Sequence, residues 1–193
     1  MNAPIPTLDS WPEQLIRGHS IPGSRYTSCE FMEREWEGMW TRVWLLLGRE
    51  SELPNPGDWQ MESVGREEIL MVRQQNGNIK AFYNVCQHRG NPLVDEAKGS
   101  NPRRFVCRYH SWAFMPDGAL QFAPDKEDFP EGNPCGKLRL AELQCETFAG
   151  FVWVNMNPEC EPLKDYLGPI WDEWQAREVD TWRQGSDPND YDR

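Results

Sequence analysis

Two short segments hold the residues with the most chemistry in this chain: Cys86-Gln87-His88-Arg89-Gly90 and Cys107-Arg108-Tyr109-His110-Ser111-Trp112. Together they offer two thiols and two imidazoles, in a chain with three histidines in all. Mixed ligation of this kind suits two metal centres. One is a tetrahedral zinc; the other is a [2Fe–2S] cluster in which two histidines replace two cysteines on one iron. Closed zinc sites are structural and redox-inert, so the choice decides what the protein can do. Zinc fingers pair like with like, two cysteines in one half-site and two histidines in the other. Here each segment mixes the two types, Cys-x-His first and Cys-x-x-His second. That is the arrangement needed if each loop gives one ligand to each iron. Gly90 and Pro92 let the first loop turn tightly around a bulky inorganic core. The spacing favours the cluster, with zinc as the alternative.

The elements that must hold these loops read as mainly β. The first segment follows a strand over Phe82–Val85, and the second follows Phe105–Val106. Both loops should therefore sit at one end of a β-scaffold, with their tips clasping the centre. Gln75-Asn76-Gly77-Asn78, between Ile69–Val72 and Ile79–Tyr83, is a hairpin signal because Asn-Gly accepts positive φ angles. Pro116-Asp117-Gly118 marks a second hairpin, from Trp112–Met115 to Leu120–Phe122. Val43–Leu47, Leu138–Leu143 and Phe151–Val154 supply further strands. Residues 123–137, rich in Pro, Asp, Glu and Gly, read as a long surface connection. Ahead of the sheet, Thr27 and Glu30 form a capping box. Phe31, Met32, Trp36, Met39, Trp40 and Val43 follow at helical spacing, an aromatic stripe expected to pack on the sheet.

Composition narrows the function. A 193-residue chain is long enough for one medium domain with short extensions. A net charge of −11 argues against nucleic acid and anionic membranes as partners, since both need a basic face. The longest apolar run, Val43–Leu47, is too short to cross a bilayer, and Met1–Ser10 lacks the pattern of a signal peptide. Cys29, Cys135, Cys145 and Cys160 are scattered, which fits free thiols in a reducing cytoplasm. His19 stands in a polar stretch with no ligand nearby in sequence. The tail from Gly185 to Arg193 is polar and acidic and reads as disordered.

Asn84–Leu93 followed by Phe105–Trp112 resembles the Rieske portion of the large (alpha) subunit of Rieske non-haem iron, aromatic-ring-hydroxylating oxygenases. The likeness extends to Tyr26-Thr27-Ser28, Glu33–Trp36, Trp44–Arg49, Gly57-Asp58-Trp59, Gly150–Met156 and Pro162–Gly168, and so covers about residues 11–175. Two departures stand out. The 18 residues between His88 and Cys107 are a little many for the family, and Ser111 stands where glycine is usual.

The resemblance implies a Rieske [2Fe–2S] fold of small antiparallel sheets with two cluster-binding loops, preceded by an N-terminal helix. It implies an N-terminal extension over 1–43, a Rieske domain over 44–160, and a linker or tail over 161–193 leading towards a catalytic domain. Cys86 and Cys107 would bind the inner iron, and His88 and His110 the outer one. With neutral imidazoles the oxidised cluster is neutral, so it accepts an electron more readily than a four-cysteine cluster. Arg89 and Arg108, each beside a ligand, would favour the reduced state. Respiratory Rieske proteins have extra cysteines and a serine hydroxyl where this chain has Asn91, Tyr109 and Trp112. That sets the potential at the oxygenase and ferredoxin end of the range and argues against a quinol-oxidising subunit.

The implied role is electron transfer. A reductase linked to NAD(P)H, or a ferredoxin, would donate the electron; a mononuclear iron in an oxygenase catalytic domain or neighbouring subunit would accept it. That iron needs two histidines and a carboxylate. All three histidines precede residue 111, so these 193 residues cannot build such a site. A free-standing Rieske ferredoxin is the alternative, although such ferredoxins are shorter and lack the helical extension. A zinc-stabilised binding module is the third reading.

Overall fold

Ile69–Val72 is an unbroken apolar run, and all four residues are fully buried in the middle of an antiparallel sheet. A computed structural model describes residues 23–100, 102–124 and 127–182. They fall in two units, Met1–Met39 and Trp40–Arg193. The second unit holds ten strands: β1 (Leu45–Arg49), β2 (Trp59–Val64), β3 (Glu67–Arg73), β4 (Ile79–Tyr83), β5 (Lys98–Gly99), β6 (Phe105–Val106), β7 (Ala113–Phe114), β8 (Leu120–Phe122), β9 (Glu142–Phe148) and β10 (Phe151–Asn155). Seven form one sheet in the order β1-β10-β9-β4-β3-β2-β5, and three form a smaller one, β6-β7-β8. The fold is mainly β, as expected.

Alternation along β3 explains why its run is continuous. Leu70 and Val72 point into a core with Trp59, Phe82, Phe105, Phe114 and both loop cysteines. Ile69 and Met71 point the other way, to Ala81, Leu143, Val152 and Val154. A strand covered on both faces needs apolar residues at every position. A third cluster joins Trp44 and Trp153 to Leu163 and Leu167 of the helix Leu163–Leu167. The Trp44 indole N–H donates to the Glu161 carbonyl at 3.0 Å, and a second helix follows over Pro169–Ala176.

Both hairpins form, with a different turn from the one Asn-Gly suggests. Gln74 N–H donates to Asn78 O at 2.7 Å, Gly77 N–H donates to Gln74 O at 3.0 Å, and only Gly77 has positive φ (87°). This is a three-residue loop ending in a left-handed glycine. The same pattern recurs between Met115 and Ala119. The strand expected over Leu138–Leu143 shifts to Glu142–Phe148. Its first residues turn instead to the small sheet: Leu120 N–H donates to Leu138 O at 3.0 Å, and Ala119 bridges Arg139. Strand Trp59–Val64 was not among the expected strands; Trp59 and Met61 face one core and Val64 the other.

Ahead of the strands, short helices span Ser24–Thr27 and Cys29–Glu35, and a π-helical turn spans Trp36–Trp40. The cap is Ser28, not Thr27: its hydroxyl accepts from Phe31 N–H at 3.1 Å. Ser28 is the extended residue between the helices, while Thr27 ends the preceding one. The π turn shifts the helical period, so the aromatic stripe is broken. Trp36 is buried, whereas Met32, Met39 and Trp40 are exposed. His19 and the tail from Gly185 lie outside the described residues.

Candidate metal centre

The two loops leave different sheets. The first joins β4 to β5 across residues 84–97, and the second joins β6 to β7 across 107–112. Their backbones nevertheless repeat one frame. Cys86 N–H donates to Asn91 O at 2.8 Å, and Gly90 N–H donates to Cys86 O at 2.9 Å. Cys107 N–H donates to Trp112 O at 2.8 Å, and Ser111 N–H donates to Cys107 O at 3.0 Å. The residue four after each cysteine turns left-handed, Gly90 at φ 72° and Ser111 at φ 57°. Nothing lies within 4 Å of a Cβ built on Gly90, so glycine there answers to backbone conformation alone. Ser111 holds the same conformation with a Cβ.

Asn84 closes the first loop. Its side chain is 1% exposed. Oδ1 accepts from Leu93 N–H at 3.0 Å and Val94 N–H at 3.1 Å, while Nδ2 donates to Val94 O at 2.8 Å and Glu68 Oε2 at 2.9 Å. Sequence reasoning had given Asn84 no role. Its signal was an amide at the end of an apolar strand, two residues before a cysteine.

The four predicted residues come together as two pairs, the thiols of Cys86 and Cys107 and the imidazoles of His88 and His110. Cys86 and Cys107 are free, 2% exposed and hydrogen-bond neighbours. Burial pushes the Cys86 thiol up from the ordinary range, against the backbone N–H groups of His88 and Arg89; the adjacent Cys107 thiol adds to the rise. The imidazoles of His88 and His110 lie 4.7 Å apart between centroids at 73°. Burial pulls the His88 pKa down, aided by the charges of His110 and Arg89. Most telling are the ring nitrogens. Nδ1 of His88 and Nδ1 of His110 are both buried without a hydrogen-bond partner, and no other described side chain has such an atom. A buried polar atom left bare is costly, and a metal ion is a partner that removes the cost.

The donors stand as a pair of thiols and a pair of imidazoles. Among the described residues, no three Cys, His, Asp or Glu side chains gather as one metal ion would require. A two-iron cluster asks for two protein donors on each iron, and two thiols with two imidazoles are the donor set it needs.

Around the imidazoles, the Trp112 indole stacks on His88, and Tyr109 leans on His110. Arg108 pairs with Asp95 at 2.5 Å and Glu96 at 3.2 Å, an exposed bridge between the loops. The connection after residue 123 does more than cross the surface: Phe129 packs against this core, and with Pro124 and Asp128 it lines a cavity of about 350 Å³ beside both histidines. Its proline and acidic content had masked that one aromatic anchor.

The Rieske [2Fe–2S] domain family matches residues 43–145. The chain is 39% identical over 156 residues to the large oxygenase component of the naphthalene 1,2-dioxygenase system of Pseudomonas aeruginosa, covering 80% of this chain and 34% of that one. It is 32% identical over 164 residues to the methanesulfonate monooxygenase hydroxylase subunit alpha of Methylosulfonomonas methylovora, covering 80% and 40%. Among solved structures, the apo quaternary ammonium Rieske monooxygenase CntA superimposes with a TM-score of 0.74 at 30% identity, over 80% of this chain and 44% of that one. The chain thus spans about a third of the length of the naphthalene and 2,4-dinitrotoluene dioxygenase large components. More than half of its length lies within one family match, and its relatives are oxygenase subunits. The chain belongs to the Rieske [2Fe–2S] domain family, in the form carried by large subunits of Rieske oxygenases.

Proposed function

We propose that this chain is the electron-transfer portion of a Rieske oxygenase, with Cys86, His88, Cys107 and His110 as the four ligands of its [2Fe–2S] cluster. The observation that carries the ligand assignment is the pair of buried, unpartnered Nδ1 atoms on His88 and His110. The cluster, when bound, accepts and releases a single electron. Cys86 and Cys107 would hold the inner iron through buried sulfurs, and the backbone N–H groups of His88 and Arg89 favour the thiolate of Cys86. His88 and His110 would hold the outer iron, and both line the surface cavity.

In this reading the Rieske domain spans 44–160, with an N-terminal extension over 1–43 and a linker or tail over 161–193. The donor is a ferredoxin or an NAD(P)H-dependent reductase, and the acceptor is the mononuclear iron of an oxygenase catalytic domain or neighbouring subunit. No helix among the described residues is long and apolar enough to cross a membrane, and we place the chain in the cytoplasm. The relatives are named for naphthalene, methanesulfonate and quaternary ammonium chemistry, so likeness in this domain does not select a substrate.

Purified protein should contain two irons and two acid-labile sulfides per chain. Once reduced, it should give the low-average-g electron paramagnetic resonance signal of mixed nitrogen and sulfur ligation. It should accept electrons from a reductase yet hydroxylate nothing by itself. A colourless protein with stoichiometric zinc would overturn the assignment.

A further inference from the structure

Trp112 belongs to the second loop by sequence and to the first by contact. Its carbonyl closes the second loop by accepting from Cys107 N–H. Its indole lies flat on the His88 imidazole of the first loop, with centroids 4.8 Å apart and planes within 6°. The side chain is 3% exposed. Phe129 meets it edge-on at 5.7 Å, and Phe114 packs at 6.3 Å. The ring beside His110 is of another kind: Tyr109 is tilted by 39° and is 58% exposed.

We propose that Trp112 is a positioning residue that fixes the ring plane of His88 from across the site, so that the two imidazoles meet the outer iron in unequal settings. The inference rests on the ligand assignment above. A histidine ring turns about a broad, soft χ2 torsion, so a loop that fixes only the backbone leaves the direction of the nitrogen lone pair loose. A parallel indole removes that freedom, because rotating the imidazole breaks the stack. It also shields one face of His88 from water. Trp112 can act as a stop only if it is itself held, and Phe129 supplies that support from the 123–137 connection. The order of support runs from Phe129 to Trp112 to His88.

The test uses the cluster-loaded chain with ¹⁵N-labelled histidine, reading the two histidine hyperfine couplings of the reduced state by pulsed electron paramagnetic resonance. Trp112→Leu should shift one coupling and leave the other in place. Trp112→Phe should shift the same coupling less, since a smaller ring still stacks. Phe129→Ala should shift that same coupling by a small amount. Tyr109→Leu should leave it unmoved. If Trp112→Leu fails to fold or to hold a cluster, the Phe and Phe129→Ala variants decide by the same rule. Couplings that all stay fixed, or that move together in every variant, would show Trp112 to be packing only and overturn the inference while leaving the ligands intact. Wild-type protein without two nitrogen couplings would overturn the ligand assignment itself.

Discussion

In the first loop Cys86 N–H reaches Asn91 O over 2.8 Å, and in the second Cys107 N–H reaches Trp112 O over the same distance. The backbone frame is shared down to the left-handed fourth residue, yet the two loops are held by unlike means. The second needs little beyond its own strands, because β6 and β7 pair directly at its mouth, Val106 opposite Ala113. The first leaves β4 and returns only at β5, a much longer path. It is closed by one side chain, Asn84, making four hydrogen bonds. A short hairpin obtains its closure from the ladder, whereas a long loop must obtain it from a buried polar hub.

The largest expected effect tests what the loops share. Cys86→Ser and Cys107→Ser should each abolish the cluster, because each would remove one of the two protein thiolates proposed for the inner iron. Iron and sulfide content and the visible spectrum measure the loss. A cluster that survives one substitution and not the other would show that the frames are not equivalent.

The next effect tests what they do not share. Asn84→Ala strips the partner from two buried backbone N–H groups and from Val94 O, and should cost about 3 kcal/mol of unfolding free energy. Urea denaturation gives the total. Hydrogen exchange should place the loosening at residues 85–94 and spare 107–112. Equal loosening of both loops would mean that Asn84 supports the whole core and not one loop.

The left-handed fourth residue gives a matched pair of smaller effects. Ser111→Gly should stabilise by about 1 kcal/mol, since a Cβ residue is held where glycine is favoured. Gly90→Ala should destabilise by about the same amount, because the space is open and only φ is penalised. Thermal melts of both variants settle the signs. Stability gained in neither would mean that the Ser111 hydroxyl contributes a bond that offsets the strain.

These contrasts explain what was legible in the sequence. The residue types and their offsets are local facts, so Cys86, His88, Cys107 and His110 could be proposed as ligands from the sequence alone. Ile69–Val72, Gly77 and Gly118 also declare their elements locally. The clasp of Asn84 was hidden because its partners, Glu68, Leu93 and Val94, are far along the chain and unremarkable in type. Phe129 was hidden by its neighbours' composition. The cap at Ser28 slipped because the short helix Ser24–Thr27 takes up Thr27, and the start of β9 slipped because Leu138 and Arg139 pair with the small sheet instead. Roles set by residue chemistry were visible, whereas roles set by long-range pairing were not.

Acid should act on the first loop's return limb. Asp58 sits at the start of β2, beside β5, and accepts from Asn55 N–H at 2.8 Å. That bond, outweighing burial and aided by Ser100, Asn55 and Arg73, holds its carboxyl below the usual range. A depressed folded pKa means stability that is present above the unfolded value of about 3.9 and is lost as pH falls through the folded one. The hydrogen-exchange protection of Lys98 and Gly99 should therefore fall below pH ~4. Asp58→Asn should remove that pH dependence. Unchanged acid sensitivity in the variant would assign it to another carboxylate.

The smallest effect concerns the arginine beside a ligand in each loop. By position in the chain Arg89 and Arg108 are equivalent, each next to a proposed ligand and each expected to favour the reduced cluster. The surroundings separate them: Arg108 is paired with Asp95 and Glu96, so much of its charge is neutralised before it reaches the site, whereas the charge of Arg89 acts on His88. Arg89→Gln should therefore lower the reduction potential more than Arg108→Gln. Both shifts should shrink as salt rises from about 0.01 to 1 M, because the screening length falls from ~30 to ~3 Å. Stability should hardly change in either variant, since exposed ion pairs contribute only about 0 to 1 kcal/mol. Protein-film voltammetry across that salt range reads both shifts on one sample. A larger shift for Arg108→Gln would mean that its carboxylate partners let go in solution, and that the bridge between the loops is not what holds them together.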